Sequence, residues 1–190
     1  MTIQQLFIKA NQELKQVVEQ IKDDQWDISL PEGLSSKPAT LKEAINYHIY
    51  DDAWVPDVLA GKTKEEVGDK YNDLLTTADT KTEYTKYNQR AIEAVETFEN
   101  LDKTVHLSYG DFKAREYLQH ITIFRSLRFY DIGKLIGMSP KFDPEFALGL
   151  LKEYEPLADS YRQFGILPAK LEAPVEADAE AKFLALTGRE

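Results

Sequence analysis

The chain has 190 residues, 33 acidic against 23 basic, for a formal charge of −10, with 43% hydrophobic and 11% aromatic side chains. That length and apolar content suit one globular domain with a sizeable core, not a disordered chain, and the acidity argues against a nucleic-acid partner. The lack of cysteine removes disulfides, thiolate metal sites and a cysteine nucleophile. No apolar run reaches bilayer length and the start lacks a basic-then-apolar leader, so a soluble cytoplasmic protein with no membrane partner is expected.

In chain order, Ile3, Leu6, Phe7, Ala10, Leu14, Val17, Val18 and Ile21 recur at helical spacing behind a capping Thr2. Asp24 to Ser36 reads as a loop embedding Trp26, Ile28 and Leu30. Thr40-Leu-Lys-Glu43 is a capping box for a second helix, whose inward stripe is Leu41, Ala44, Ile45, His48, Ile49 and Asp52; Pro56 is expected to interrupt it and Gly61 to end the turn that follows. Thr63-Lys-Glu-Glu66 is another capping box, for a short piece. A third long helix is predicted from about Thr82 to Glu99. Val105, Leu107 and Tyr109 then alternate with polar residues before Gly110-Asp111, as in a small hairpin or extended arm.

A fourth long helix, from about Arg115 to Ile136, is apolar almost all round and ends at Gly137. Asp143-Pro144 caps a fifth, striped by Ala147, Leu150, Leu151, Tyr154, Leu157, Ala158 and Tyr161. A tail with Pro168 and Pro174 ends in a short apolar segment, Phe183 to Leu186. Long amphipathic helices with few strand signals predict one all-α domain over residues 1–190, with a bundle over about 2–137 and a C-terminal helix and tail over 138–190.

Two of the three histidines, His48 and His120, fall on helices, and they mark the place where the chain could do chemistry. On the fourth long helix Glu116, His120, Phe124 and Arg128 follow one another at four-residue spacing, with Asp131 three further on; on the second, His48 shares its row with Asp52. Imidazole and carboxylates on facing helices are a common way for a bundle to hold a metal. The blander reading is that each histidine is satisfied by a neighbouring carboxylate. Arg128 shifts the balance: its charge needs Asp52, Asp131 or a ligand anion beside it and repels a nearby cation. Trp54 is a candidate pocket wall, and His106 is expected to be exposed on the arm.

The segment Tyr47-His-Ile-Tyr-Asp-Asp-Ala-Trp-Val-Pro-Asp-Val-Leu-Ala-Gly61 resembles the second-helix motif of the DinB/YfiT-like superfamily, in the branch of mycothiol-dependent maleylpyruvate isomerase N-terminal-domain proteins. Thr104 to Asp111 is similar to that group's extended arm, Phe129-Tyr-Asp-Ile-Gly-Lys-Leu-Ile-Gly137 to the end of its last bundle helix, and Ala177 to Glu190 to its C-terminal signature. The resemblance implies a DinB-like four-helix bundle with a small arm and an additional C-terminal helix, often dimeric. It also implies zinc or nickel on a second-helix histidine and two last-helix residues four apart, activating a low-molecular-weight thiol. His48 stands at the first ligand position, whereas Phe124 and Arg128 stand at the other two. His120 would serve only a shifted site.

The expected function is therefore a DinB-like protein with a degenerate metal site and no cofactor. It would bind a small anionic ligand in a pocket of His48, Asp52, Trp54, Phe124, Arg128 and Asp131. The alternatives are a metal- and thiol-dependent transferase or isomerase using His48 and His120, and a non-catalytic homodimer in which Arg128 bridges Asp52.

Overall fold

The computed structural model describes residues 1–31 and 40–190. The part of the predicted early loop from residue 32 to 36 lies outside the described residues. The described chain is mainly helical, with one two-stranded antiparallel sheet.

Four long helices form the body: α1 (Ile3–Gln20), α2 (Leu41–Ala60), α4 (Thr80–Glu96) and α5 (Ala114–Leu135). The short α3 (Lys64–Val67) follows α2, and α6 (Pro144–Tyr154), α7 (Ala158–Gln163) and α8 (Ala179–Leu186) complete the chain. Helix α1 buries Ile3, Leu6, Phe7, Ala10, Leu14, Val17 and Val18, the expected stripe, and Thr2 with Gln5 closes a full capping box. Thr40 with Glu43 and Thr63 with Glu66 do the same for α2 and α3.

Pro56 does not interrupt α2. The helix continues through it to Ala60 and stops at Gly61, whose φ of 86° provides the left-handed cap. The cost is one backbone bond, the one Asp52 C=O would accept, and Val55, Val58 and Leu59 packing into the apolar core offsets it. The fifth predicted helix is divided. Glu155 keeps helical backbone, but Pro156 has no N–H for the Lys152 carbonyl and its ring crowds that carbonyl, so α6 ends at Tyr154 and α7 restarts at Ala158. Both halves still reach one core, with the Tyr154 and Tyr161 ring centroids 6.3 Å apart.

The packing order positions the site. Helix α2 lies along α4, α4 and α5 both flank α1, and α2 and α5 make no comparable contact with each other. Strands β1 (Thr104–Leu107) and β2 (Gly110–Lys113) pair Val105 with Phe112 and touch both α2 and α5, bridging one end of the gap. Lys103 ties this joint: its ammonium donates to the Leu59 carbonyl at 2.8 Å and its own carbonyl accepts from Ala114 N–H at 2.9 Å. The C-terminal end of α2 therefore meets the start of α5. No helix among the described residues is long and apolar enough to cross a membrane.

Candidate functional site

The gap between α2 and α5 is spanned by a guanidinium, that of Arg125. On α5 the inward stripe runs Leu118, Thr122, Arg125, Phe129, Ile132, all buried, at alternating steps of four and three. On α2 it runs Leu41, Ile45, His48, Ile49, Asp52, Ala53. Arg125 is 1% exposed and enters the body at an otherwise core position. One Nη donates to His48 Nδ1; the other donates to Asp52 Oδ1 at 2.7 Å and to the His48 carbonyl at 3.3 Å.

The layer continues across the body. Asn88 of α4 directs its amide toward Asp52 Oδ2 at 3.5 Å and donates to Asn11 Oδ1 of α1 at 3.0 Å; Asn11 donates to the Phe7 carbonyl at 3.0 Å. Each long helix thus contributes to one polar layer inside an apolar core. Arg125 Nε and Asn88 Oδ1 are buried without a partner among the described residues.

The electrostatics follow from burial. An arginine only donates, so His48 Nδ1 is the acceptor and the ring proton sits on Nε2. Desolvation first, then the charges of Arg125 and Arg128, hold the His48 pKa well below its ordinary value, so the ring is neutral. Burial raises the Asp52 carboxyl, opposed by the charge and hydrogen bond of Arg125. Burial opposes the charge on Arg125, but Asp52 and Asp51 outweigh it and leave the guanidinium more firmly protonated. Asp51 is different: its nearest guanidinium nitrogen is 3.9 Å away, its side chain is 39% exposed, and desolvation pushes its pKa to about 6.

The candidate residues fall into separate places. His48 and Asp52 are joined, by Arg125 and not by Arg128. Arg128 lies at the flank of the stripe with 16% of its side chain exposed, 3.6 Å from Asp131, and donates no hydrogen bond among the described residues. Asp131 is instead held in a fork by Arg189, at 2.8 and 2.7 Å. Phe124 is 40% exposed, at the rim of the gap and not inside a pocket. Trp54 packs between Tyr50 and Tyr71. His120 Nδ1 lies in hydrogen-bond contact with the Tyr109 hydroxyl at 3.2 Å and the ring packs against Phe112 and Tyr161, so it does not join His48. His106 pairs with Asp111 at 2.8 Å on the hairpin.

The zinc or nickel implied by the resemblance does not fit these side chains. His48 Nδ1 and Asp52 Oδ1, the donors a cation would need, already accept from Arg125, and a fixed positive charge stands between them. Among the described residues no group of three or more histidine or carboxylate side chains could hold a metal. Comparison with known proteins adds nothing to the reading: no family model, curated protein or solved structure matches the chain.

Arg125, Asn88 and Asn11 were missed in the sequence. The signal was present for Arg125, which continues the stripe of Leu118, Thr122, Phe129 and Ile132. A row at strict four-residue spacing advances about 400° per step and so drifts about 40° around the helix each time, whereas an inward face alternates threes and fours. The row from Glu116 to Arg128 therefore runs diagonally over the outer face, from the exposed Glu116 and Phe124 toward Arg128 at the flank of the buried stripe.

Proposed function

We propose that this chain is a DinB-like four-helix bundle in which the Arg125 guanidinium stands where a divalent cation would sit, and that it binds a small anionic molecule in the groove between α2 and α5. The observation that carries this reading is the buried Arg125, bonded at once to His48 and Asp52. It supplies from the protein the positive charge that would otherwise come from a metal. Lewis-acid activation of a thiol is accordingly not the chemistry these residues favour.

The anion's place is Arg128. Among the described residues its one carboxylate neighbour is Asp131 at 3.6 Å, which already accepts both bonds of a fork from Arg189. Two guanidinium groups thus share one carboxylate, leaving a surplus positive charge and unused, planar N–H donors, the geometry that recognises a carboxylate or phosphate.

The test is a calorimetric or NMR titration with hexanoate and with inorganic phosphate, on the native protein and on Arg128→Gln. Binding of either anion that weakens at least about tenfold in the variant, with little change in melting temperature, supports the reading. No binding, or equal binding by both proteins, refutes it. So does stoichiometric zinc or nickel in the native protein that is lost on His48→Ala.

A further inference from the structure

Among the described residues Asp131 has two arginines within reach, and the one that holds it comes from the last turn of the chain. Arg189 grips it with Nε at 2.8 Å and an Nη at 2.7 Å, whereas Arg128, one turn back on α5, stands 3.6 Å off and makes no hydrogen bond to it. A forked pair uses both carboxylate oxygens, so Asp131 can give its best geometry to one guanidinium at a time.

Backbone geometry delivers Arg189 to that carboxylate. Helix α8 ends in a Schellman turn, in which Gly188 N–H donates to the Ala185 carbonyl at 3.1 Å and Arg189 N–H to the Leu184 carbonyl at 2.8 Å. Gly188 has a φ of 73°, and a Cβ on it would lie 2.5 Å from Pro168 Cγ and 2.8 Å from the Ala169 carbonyl oxygen, so any side chain there displaces the turn. Another nitrogen of Arg189 donates to the Thr187 carbonyl at 2.7 Å. Beyond it, the Tyr130 hydroxyl and, at 3.3 Å, the Lys134 ammonium donate to the Glu190 backbone oxygen, which holds the turn against α5.

Resting on the reading of Arg128 as an anion site, we infer that residues 187–190 form a strap that sets the charge of that site. With the strap seated, Arg189 occupies Asp131 and Arg128 keeps its donors for an anion. With Arg189 displaced, closing the 3.6 Å gap between Arg128 and Asp131 to an ordinary hydrogen-bond distance takes less than about 1 Å, and the site neutralises itself. An anion must then displace a carboxylate already in place. Linkage makes the effect reciprocal: an anion on Arg128 disfavours its pairing with Asp131 and so holds the strap seated.

Gly188→Ala separates this competition from the plain loss of a nearby positive charge, because it unseats Arg189 and alters no charge. Titration with inorganic phosphate and with hexanoate is expected to show binding about fivefold weaker in Gly188→Ala, the scale of one partly exposed ion pair, and recovered in Gly188→Ala/Asp131→Asn. Arg189→Lys keeps the charge without the fork and is expected to weaken binding in the same way, which covers the case of a Gly188→Ala protein that does not fold. Native affinity in Gly188→Ala overturns the strap and leaves the anion site standing; so does a weakening that Asp131→Asn fails to recover. Binding of neither anion by the native protein refutes the anion site, and the strap is then judged by urea unfolding of Arg128→Gln, Asp131→Asn and the double variant, each with Gly188 and with Gly188→Ala. Coupling between Arg128 and Asp131 that grows at least about threefold in unfolding constant on Gly188→Ala supports the competition, and coupling that stays the same overturns it.

Discussion

Replacing Arg125 by methionine removes the charge from the middle of the polar layer and leaves most of the volume filled, since methionine is long, flexible and unbranched. What remains is Asp52, fully buried, with the 3.5 Å approach of Asn88 as its one side-chain hydrogen-bond partner among the described residues. Stranding one partner of a buried pair costs about 3–5 kcal/mol, which for a chain of this size lowers the melting temperature by about 6–20 °C. The loss is pH-dependent in a defined direction. Burial already raises the Asp52 pKa, and without Arg125 it rises further, so the folded variant binds a proton that the unfolded chain does not. The variant's stability therefore falls as pH rises above the unfolded aspartate value, and its deficit relative to the native protein is smaller near pH 4 than at pH 7. Adding Asp52→Leu removes the stranded charge and is expected to recover the stability to within about 1 kcal/mol of native, or beyond it. Arg128→Met is the control: Asp131 keeps its fork from Arg189, so that variant loses less than about 1 kcal/mol. Urea unfolding of the native protein, Arg125→Met, Asp52→Leu, the double variant and Arg128→Met at pH 4 and pH 7 decides. A native-like Arg125→Met, or a double variant as unstable as the two single changes summed, would refute the claim that the pair is held by mutual compensation.

The exposed acid beside the pair has the opposite effect on stability. Desolvation raises the Asp51 pKa from 3.8 to about 6, so its ionisation disfavours the folded state progressively between those values. With the side chain 39% exposed and solvent screening the charge, Asp51→Asn is expected to stabilise the protein by about 1 kcal/mol at pH 7, a gain that vanishes below pH 4; a variant less stable than native at pH 7 would contradict this. The displaced cation provides another test. Histidine at position 125 would reach less far than arginine, opening a gap to His48 Nδ1 of roughly two metal–nitrogen bonds, about 2.0–2.1 Å each, with Asp52 as a third donor. Arg125→His should therefore bind zinc stoichiometrically and gain melting temperature from it, measured by elemental analysis and thermal shift, while the native protein gains none. Failure of the variant to take zinc would show that the guanidinium is not what keeps the metal out.

How far the sequence could be read depended on whether a feature is local. Capping boxes at Thr2, Thr40 and Thr63, the Asp143-Pro144 start and the Gly61 and Gly137 ends each depend on a few consecutive residues, and each forms as read. The hairpin at Gly110 is equally local. Proline was read less well. Pro56 was expected to break a helix that the core in fact holds straight through it, and the break at Pro156 went unremarked because apolar periodicity continues on both sides.

The site was the hardest part to read because its composition depends on pairing between helices. Sequence places His48 and Asp52 inward on α2, which they are, but it does not say which residue of α5 faces them across a gap that the two helices do not close by direct contact. Arg125 and Arg128 differ by less than one turn, and their identities are the same; only the turn-by-turn phase separates a residue 1% exposed from one with 16% of its side chain in solvent. Phase is set by the neighbours on the stripe. Leu118, Thr122, Phe129 and Ile132 must all be buried together, and Arg125 is buried with them because its phase falls inside the arc of about 80° that runs from Ile132 to Thr122. A buried arginine on such a stripe demands a carboxylate on the facing helix, and α2 offers adjacent ones. Asp52 is taken as the partner because it points inward beside His48, and Asp51, one residue on and rotated about 100° toward solvent, is left with a charge to place. The unequal fates of these two neighbours separate a buried structural ion pair from an acid that keeps its contact with solvent.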